Sequence, residues 1–163
     1  MAIMKKMTEL NLKKIAFGIG SNLGRREENI KIAITKLQNA LLLGDVKISN
    51  FYANMALLPP NANESWNLEF LNIAVIAKFD REKFPPFLIL KIIKTIENEI
   101  GRRDSPRWSP REIDIDILAI SDEEIIDEND LQIPHKGLFL RDFFYKTFGE
   151  IDQEWLRSIR NNL

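Results

Sequence analysis

The chain has 163 residues, 45% of them hydrophobic, enough for one domain with a core of its own. Its 23 basic and 24 acidic residues leave a net charge of -1, which excludes a global field for nucleic acid or membrane but not a local basic site. Cysteine is absent, which excludes disulfides and thiolate metal sites and fits the reducing cytoplasm.

Residues 1–13 read as an N-terminal extension, with lysines but no apolar run of signal-peptide length, and 14–163 as a single domain. Lys14–Gly20 predicts a strand, after which Ser21 or Asn22 is placed to cap a helix. Ile30, Ala33, Ile34, Leu37 and Leu41 recur at three- and four-residue steps, so this helix is expected to reach about Leu43, with Gly44 ending it. "DVKISNFYA" alternates as a second strand, "LLPPNANESWN" is a surface loop, and "EFLNIAVIAKF" is a third strand. Pro85 and Pro86 suit the first turn of a helix over Phe87–Ile100, and Gly101 follows its last apolar residue. Lys91 and Lys94 interrupt that helix well short of the roughly 18 apolar residues a membrane span requires. "GRRDSPRWSP" then leads into an Ile/Asp strand, a polar acidic stretch follows, and "LQIPHKGLFLRDFF" reads as a turn plus a final helix. The order strand, helix, strand, strand, helix, strand predicts a ferredoxin-like α+β sandwich: one mainly antiparallel sheet with helices on one face.

Within Ile113–Ile117 the alternation has period two, so the isoleucines share one face and Asp114 and Asp116 the other. An ordinary solvated strand face gives the same pattern. Carboxylates about 6.6 Å apart on one strand repel by about 2.5 kcal/mol at an effective dielectric near 20, a penalty that a cation removes. Oxygen-only ligands favour Mg²⁺ or Ca²⁺, and Mg²⁺ often completes its shell with substrate phosphates. Arg102, Arg103, Arg107 and Arg111 precede the pair and suit phosphate, or form a solvated basic loop. Trp108 in their midst either plugs the core or covers a heterocycle. His135 is the only histidine, structural or catalytic on its own evidence. "GIGSNLG" fits neither the dinucleotide fingerprint nor a Walker A loop, and its Gly18 and Gly20 suit a close backbone approach or a turn.

"GIGSNLG", "FLNIAV", "RWSPREIDIDIL" and "IPHKGLFLRDFF", in that order between about Lys14 and Ile151, resemble the 6-hydroxymethyl-7,8-dihydropterin pyrophosphokinases of folate biosynthesis. The resemblance implies transfer of an intact diphosphate from ATP to the hydroxymethyl group of the dihydropterin, releasing AMP. It also implies a ferredoxin-like fold, loops that close over the substrates, and two Mg²⁺ ions held by Asp114 and Asp116, with Asp116 helping to deprotonate the hydroxyl. Arg102 and Arg111 match catalytic arginines of the family. Glu97, Arg103, Trp108, Arg111, Ile117, His135 and Arg141 match ATP-site positions. Phe70 and Phe143 would sandwich the pterin, Asn72 would read its polar edge, and Leu57 would line the same pocket. Lys94 stands where the family commonly has glutamine, and Lys136 where a tyrosine often follows the histidine. Family members occur fused to dihydropteroate synthase, which implies association with that enzyme, and a monomer is expected.

Two other classes remain at this point: a ferredoxin-like RNA-binding module, and a domain that binds ATP without turnover. The first needs exposed aromatics and a basic sheet face. The alternation puts carboxylates there instead, so neither nucleic acid nor membrane is expected as a partner.

Overall fold

A computed structural model describes residues 12–121 and 125–163, so most of the proposed N-terminal extension lies outside the described residues. The elements in chain order are β1 (Leu12–Ser21), α1 (Arg26–Ala40), β2 (Gly44–Ile48), β3 (Tyr52–Met55) and β4 (Glu69–Asp80). There follow α2 (Pro86–Ile100), β5 (Asp114–Ile120), β6 (Ile126–Glu128), β7 (Leu131–Ile133) and α3 (Asp142–Asn161). The main sheet runs β2-β4-β1-β5, with β3 beside β2 along the same edge of the long β4, and every pairing is antiparallel. This is the ferredoxin-like α+β sandwich. No described helix is long and apolar enough to cross a membrane.

The central strand β1 shows why the sheet has helices on both faces rather than one. Its odd residues Ile15, Phe17 and Ile19 pack with Ile30, Ala33 and Leu37 of α1 and Ile89, Ile93 and Ile96 of α2. Ala16 on the other face joins Ile76 and Leu118 in a second core, closed by Phe144, Phe148, Trp155, Leu156 and Ile159 of α3. Half of that second face is apolar and must be covered. Beyond Ala16 the residues are Gly18 and Gly20, opposite Asp116 and Asp114, and there the face stays open. The fold thus leaves one half-face of the sheet for a site.

Several local expectations change. Asn22 does not cap α1: the chain turns through Gly24 (φ 75°), and the Arg25 side chain caps nothing. The helix ends at Ala40, and Gly44 opens β2 instead of ending α1. The second strand is two, because the break at 49–51 lets Ser49 bond back to β4: its Oγ accepts from Ala74 N (2.9 Å). β6 in the acidic stretch pairs with β7, the first residues of the segment read as a turn, in a hairpin of three-residue strands too short to show a period. Pro86 opens α2, and Gly101 (φ 122°) closes it, as the sequence predicts. In α3 the turn at Asp152 breaks the helix, and its carboxylate accepts from Trp155 N (3.0 Å) and pairs with Lys14 (2.9 Å).

Candidate active site

The open half-face is the floor of a cleft of about 350 Å³. Asp114 and Asp116 reach it from β5, directly across from Gly20 and Gly18 of β1. Both glycines are there because neighbours occupy the space. A Cβ on Gly18 would lie 2.7 Å from Cε1 of Phe144, and one on Gly20 would lie 2.6 Å from Oδ1 of Asn72. Their missing side chains let an aromatic ring and an amide approach the sheet closely.

Asp114 is held by two arginines: Arg102 donates to its Oδ1 at 2.9 Å, and the Arg111 guanidinium stands 3.3 Å away. The same Arg102 nitrogen donates to Oε1 of Glu97 (2.7 Å), whose side chain is only 3% exposed. Glu97 also accepts from Ile115 N (2.9 Å), and Lys94 lies 3.5 Å from its second oxygen. Burial pushes the Glu97 carboxyl above its ordinary value of 4.5, against the pull of Arg102 and the Ile115 N–H. For Arg102, burial works against the charge, but Asp114 and Glu97 outweigh it and hold the guanidinium above its usual range.

The raised Glu97 value fixes the sign of a pH effect. A group whose folded pKa lies above its unfolded value contributes stability that is complete below the unfolded pKa and lost as pH rises through the folded one. Compared with Glu97→Gln, wild type is therefore expected to lose relative stability as pH rises from 4.5 through the folded value. Urea unfolding of both proteins at several pH values checks this, and a gap that moved the other way would remove the assignment.

His135 accepts from Gly137 N through Nδ1 (2.9 Å), so its neutral ring carries the proton on Nε2, which faces Asp116 Oδ1 at 3.6 Å. Six basic side chains line the cleft against two carboxylates, an excess suited to a polyphosphate. Three of these bases, Arg107, Lys136 and Arg141, make no ion pair among the described residues. Trp108 is 36% exposed, with positive φ and the Arg107 guanidinium 4.9 Å from its ring, so it is a loop aromatic and no core plug. Phe70 from β4 and Phe143 from α3 line the same cleft, and Leu57 lies at its exposed rim. The Asn72 amide donates to Asn54 Oδ1 and to Tyr52 O (3.3 Å), which sets the side chain facing the cleft.

A family model for 7,8-dihydro-6-hydroxymethylpterin-pyrophosphokinase (HPPK) matches residues 16–153. The chain belongs to this family. It is 39% identical over 149 residues to 2-amino-4-hydroxy-6-hydroxymethyldihydropteridine pyrophosphokinase of Aquifex aeolicus, covering 89% of this chain and 84% of that protein. The Bacillus subtilis protein of the same name is 34% identical over 144 residues, covering 88% and 81%. A folate synthesis bifunctional protein of Chlamydia muridarum is 37% identical over 84% of this chain, which spans only 30% of it. Among solved structures, a Plasmodium falciparum HPPK-DHPS variant with pterin and p-hydrobenzoate superposes with a TM-score of 0.63 at 15% identity. That match covers 94% of this chain and 44% of the longer one.

Of the residues expected at an HPPK site, the cleft brings together Leu57, Phe70, Asn72, Arg102, Trp108, Arg111, Asp114, Asp116, His135, Arg141 and Phe143. Glu97 lies behind this surface, reaching it through Arg102. Arg103 turns away and donates to Asn98 O (3.2 Å) and Arg102 O (3.3 Å). The Ile117 side chain lies in the core under the opposite sheet face, where alternation puts it. The cleft also holds Arg107, one of the four arginines suited to phosphate, and Lys94 and Lys136, which stand where the family commonly has glutamine and tyrosine. Glu112 precedes β5, and its carbonyl accepts from Asn29 Nδ2 (3.1 Å). The donor set of Asp114 and Asp116 fits a hard divalent cation whose remaining ligands come from phosphate and water. No cluster of three or more His, Cys, Asp or Glu able to hold a metal occurs among the described residues.

Proposed function

We propose that this cleft transfers the β,γ-diphosphate of ATP to the hydroxymethyl oxygen of 6-hydroxymethyl-7,8-dihydropterin in folate biosynthesis, with Mg²⁺ ions held by Asp114 and Asp116. One observation supports it above the rest: a carboxylate pair, an excess of bases and an aromatic-amide wall share one surface. When bound, the metal supplies charge neutralisation on the phosphate oxygens.

The remaining work falls to side chains of the chain itself. Phe70 and Phe143 hold the flat ring, and Asn72 reads its polar edge. Arg102 and Arg111, paired with Asp114 in this structure, turn to the triphosphate and stabilise charge on its oxygens. The hydroxymethyl oxygen forms a bond to the β-phosphorus, and the bond from that phosphorus to the α,β-bridging oxygen breaks. AMP leaves with the bridging oxygen, and the hydroxyl proton passes to an Asp116 carboxylate oxygen. Trp108 and Arg107 cover the nucleotide from the loop. We take residues 14–163 to be one catalytic domain that acts as a cytoplasmic monomer, alone or beside dihydropteroate synthase.

The test is AMP release from ATP, Mg²⁺ and the hydroxymethyl-dihydropterin. AMP that requires all three supports the reading, and no AMP overturns it in favour of ATP binding without turnover. Lys136 lines the cleft with no carboxylate partner among the described residues. Lys136→Ala is therefore expected to raise KM for ATP about threefold to tenfold and leave kcat within about twofold. Raising ionic strength should shrink that difference, because an exposed charge is screened.

A further inference from the structure

We infer that Asn22 is a positioning residue for Arg111, holding its backbone so that the guanidinium meets the phosphates; this rests on the function proposed above. Asn22 is 5% exposed and stands one residue past the end of β1. Its main-chain N–H donates to Arg111 O (3.2 Å), and its side-chain Oδ1 accepts from Arg111 N (2.9 Å). The last residue pair of the β1–β5 ladder is Gly20 with Asp114. Beyond it the chain turns off toward α1, and the Asn22 amide supplies the acceptor that a further strand residue would have supplied.

The grip matters because nothing else regular holds this segment. Between the end of α2 and the start of β5, residues 101–113 carry no helix or strand. Arg111 follows Pro110, which has no N–H to donate. On the far side, Asn29 of α1 donates to Leu23 O and to Glu112 O, both at 3.1 Å. The two asparagines thus pin consecutive residues, and only the Arg111 side chain is left to reach Asp114 and the cleft. A group placed about 1 Å off its productive position can lose about a hundredfold in rate. Alanine at position 22 keeps the main-chain bond and removes the side-chain acceptor. Aspartate keeps both.

The experiment is a double-mutant cycle of Asn22→Ala and Arg111→Ala in the full chain, with hydrogen exchange at the Arg111 amide measured alongside. Asn22→Ala alone is expected to lower kcat about tenfold or more, with KM for the pterin within about twofold. In the Arg111→Ala background the same change should cost less than about twofold. Exchange at Arg111 N–H, read without substrates, should rise at least about tenfold in Asn22→Ala and stay near wild type in Asn22→Asp. Equal losses in both backgrounds, or unchanged exchange, overturn the assignment. If wild type makes no AMP, the functional reading fails by itself, and the exchange data still decide whether Asn22 holds the backbone. Should the alanine variant not fold, Asn22→Ser takes its place in both measurements.

Discussion

Asp116→Ala is expected to lower AMP formation by about a hundred- to a thousandfold or more, with a melting temperature within a few degrees of wild type. The side chain is 29% exposed and faces the open half of the sheet, so its removal empties no core space. The strand is anchored by Ile115, Ile117 and Leu118, all at least 95% buried and all untouched by the change. Removing one carboxylate also relieves its repulsion with Asp114, which favours the fold slightly. On the proposed function the loss therefore falls on chemistry: one proposed metal ligand goes, and with it the proposed acceptor for the hydroxyl proton. Asp114→Ala should look different, since it frees Arg102 and Arg111 from their shared carboxylate while Glu97 keeps Arg102 in place. Circular dichroism and thermal melting check the fold, and a coupled AMP assay checks turnover. Wild-type AMP release from Asp116→Ala would end the metal assignment.

What could be read in the sequence was what local geometry decides. Alternation in β5 assigned Asp116 to the wet face and Ile117 to the dry one, because a strand has only two faces. The prolines and glycine bounding α2 act on their own backbone, and they mark its ends. The part that could not be read depends on partners far along the chain. Asn22 has the short side-chain oxygen of a helix cap, but its acceptor is taken by Arg111 N, 89 residues away. Arg103 and Arg107 are equivalent as loop residues in the sequence, and only the folded loop sends one to the Asn98 and Arg102 carbonyls and the other into the cleft. Covering half of the second sheet face is likewise a tertiary event, decided by where α3 docks.

Gly18→Ala is expected to weaken fold and function together, because that docking runs through the same ring that supports the site. An added Cβ would come within 2.7 Å of Cε1 and 3.1 Å of Cδ1 of Phe144, a residue 4% exposed. Leu118 Cδ2, at 3.4 Å, leaves little room on the other side. The ring must therefore move, and overpacking of this kind costs about 1–3 kcal/mol. For a chain of this size that lowers the melting temperature by about 2–4 °C per kcal/mol. Phe144 does not move alone. Phe143 packs edge-on against it at 4.8 Å, and His135 does so at 5.1 Å. A shifted ring thus carries one wall of the proposed pterin pocket and the imidazole beside Asp116 with it. KM for the pterin should rise and kcat should fall in the same variant. Gly20→Ala separates the two effects: its Cβ meets the Asn72 amide oxygen at 2.6 Å, and its three nearest atoms belong to Asn72 and Phe70 of β4, not to α3. It should raise the pterin KM with a smaller drop in melting temperature. If Gly18→Ala melted like wild type and kept its kinetics, α3 would not be the element that shapes the cleft.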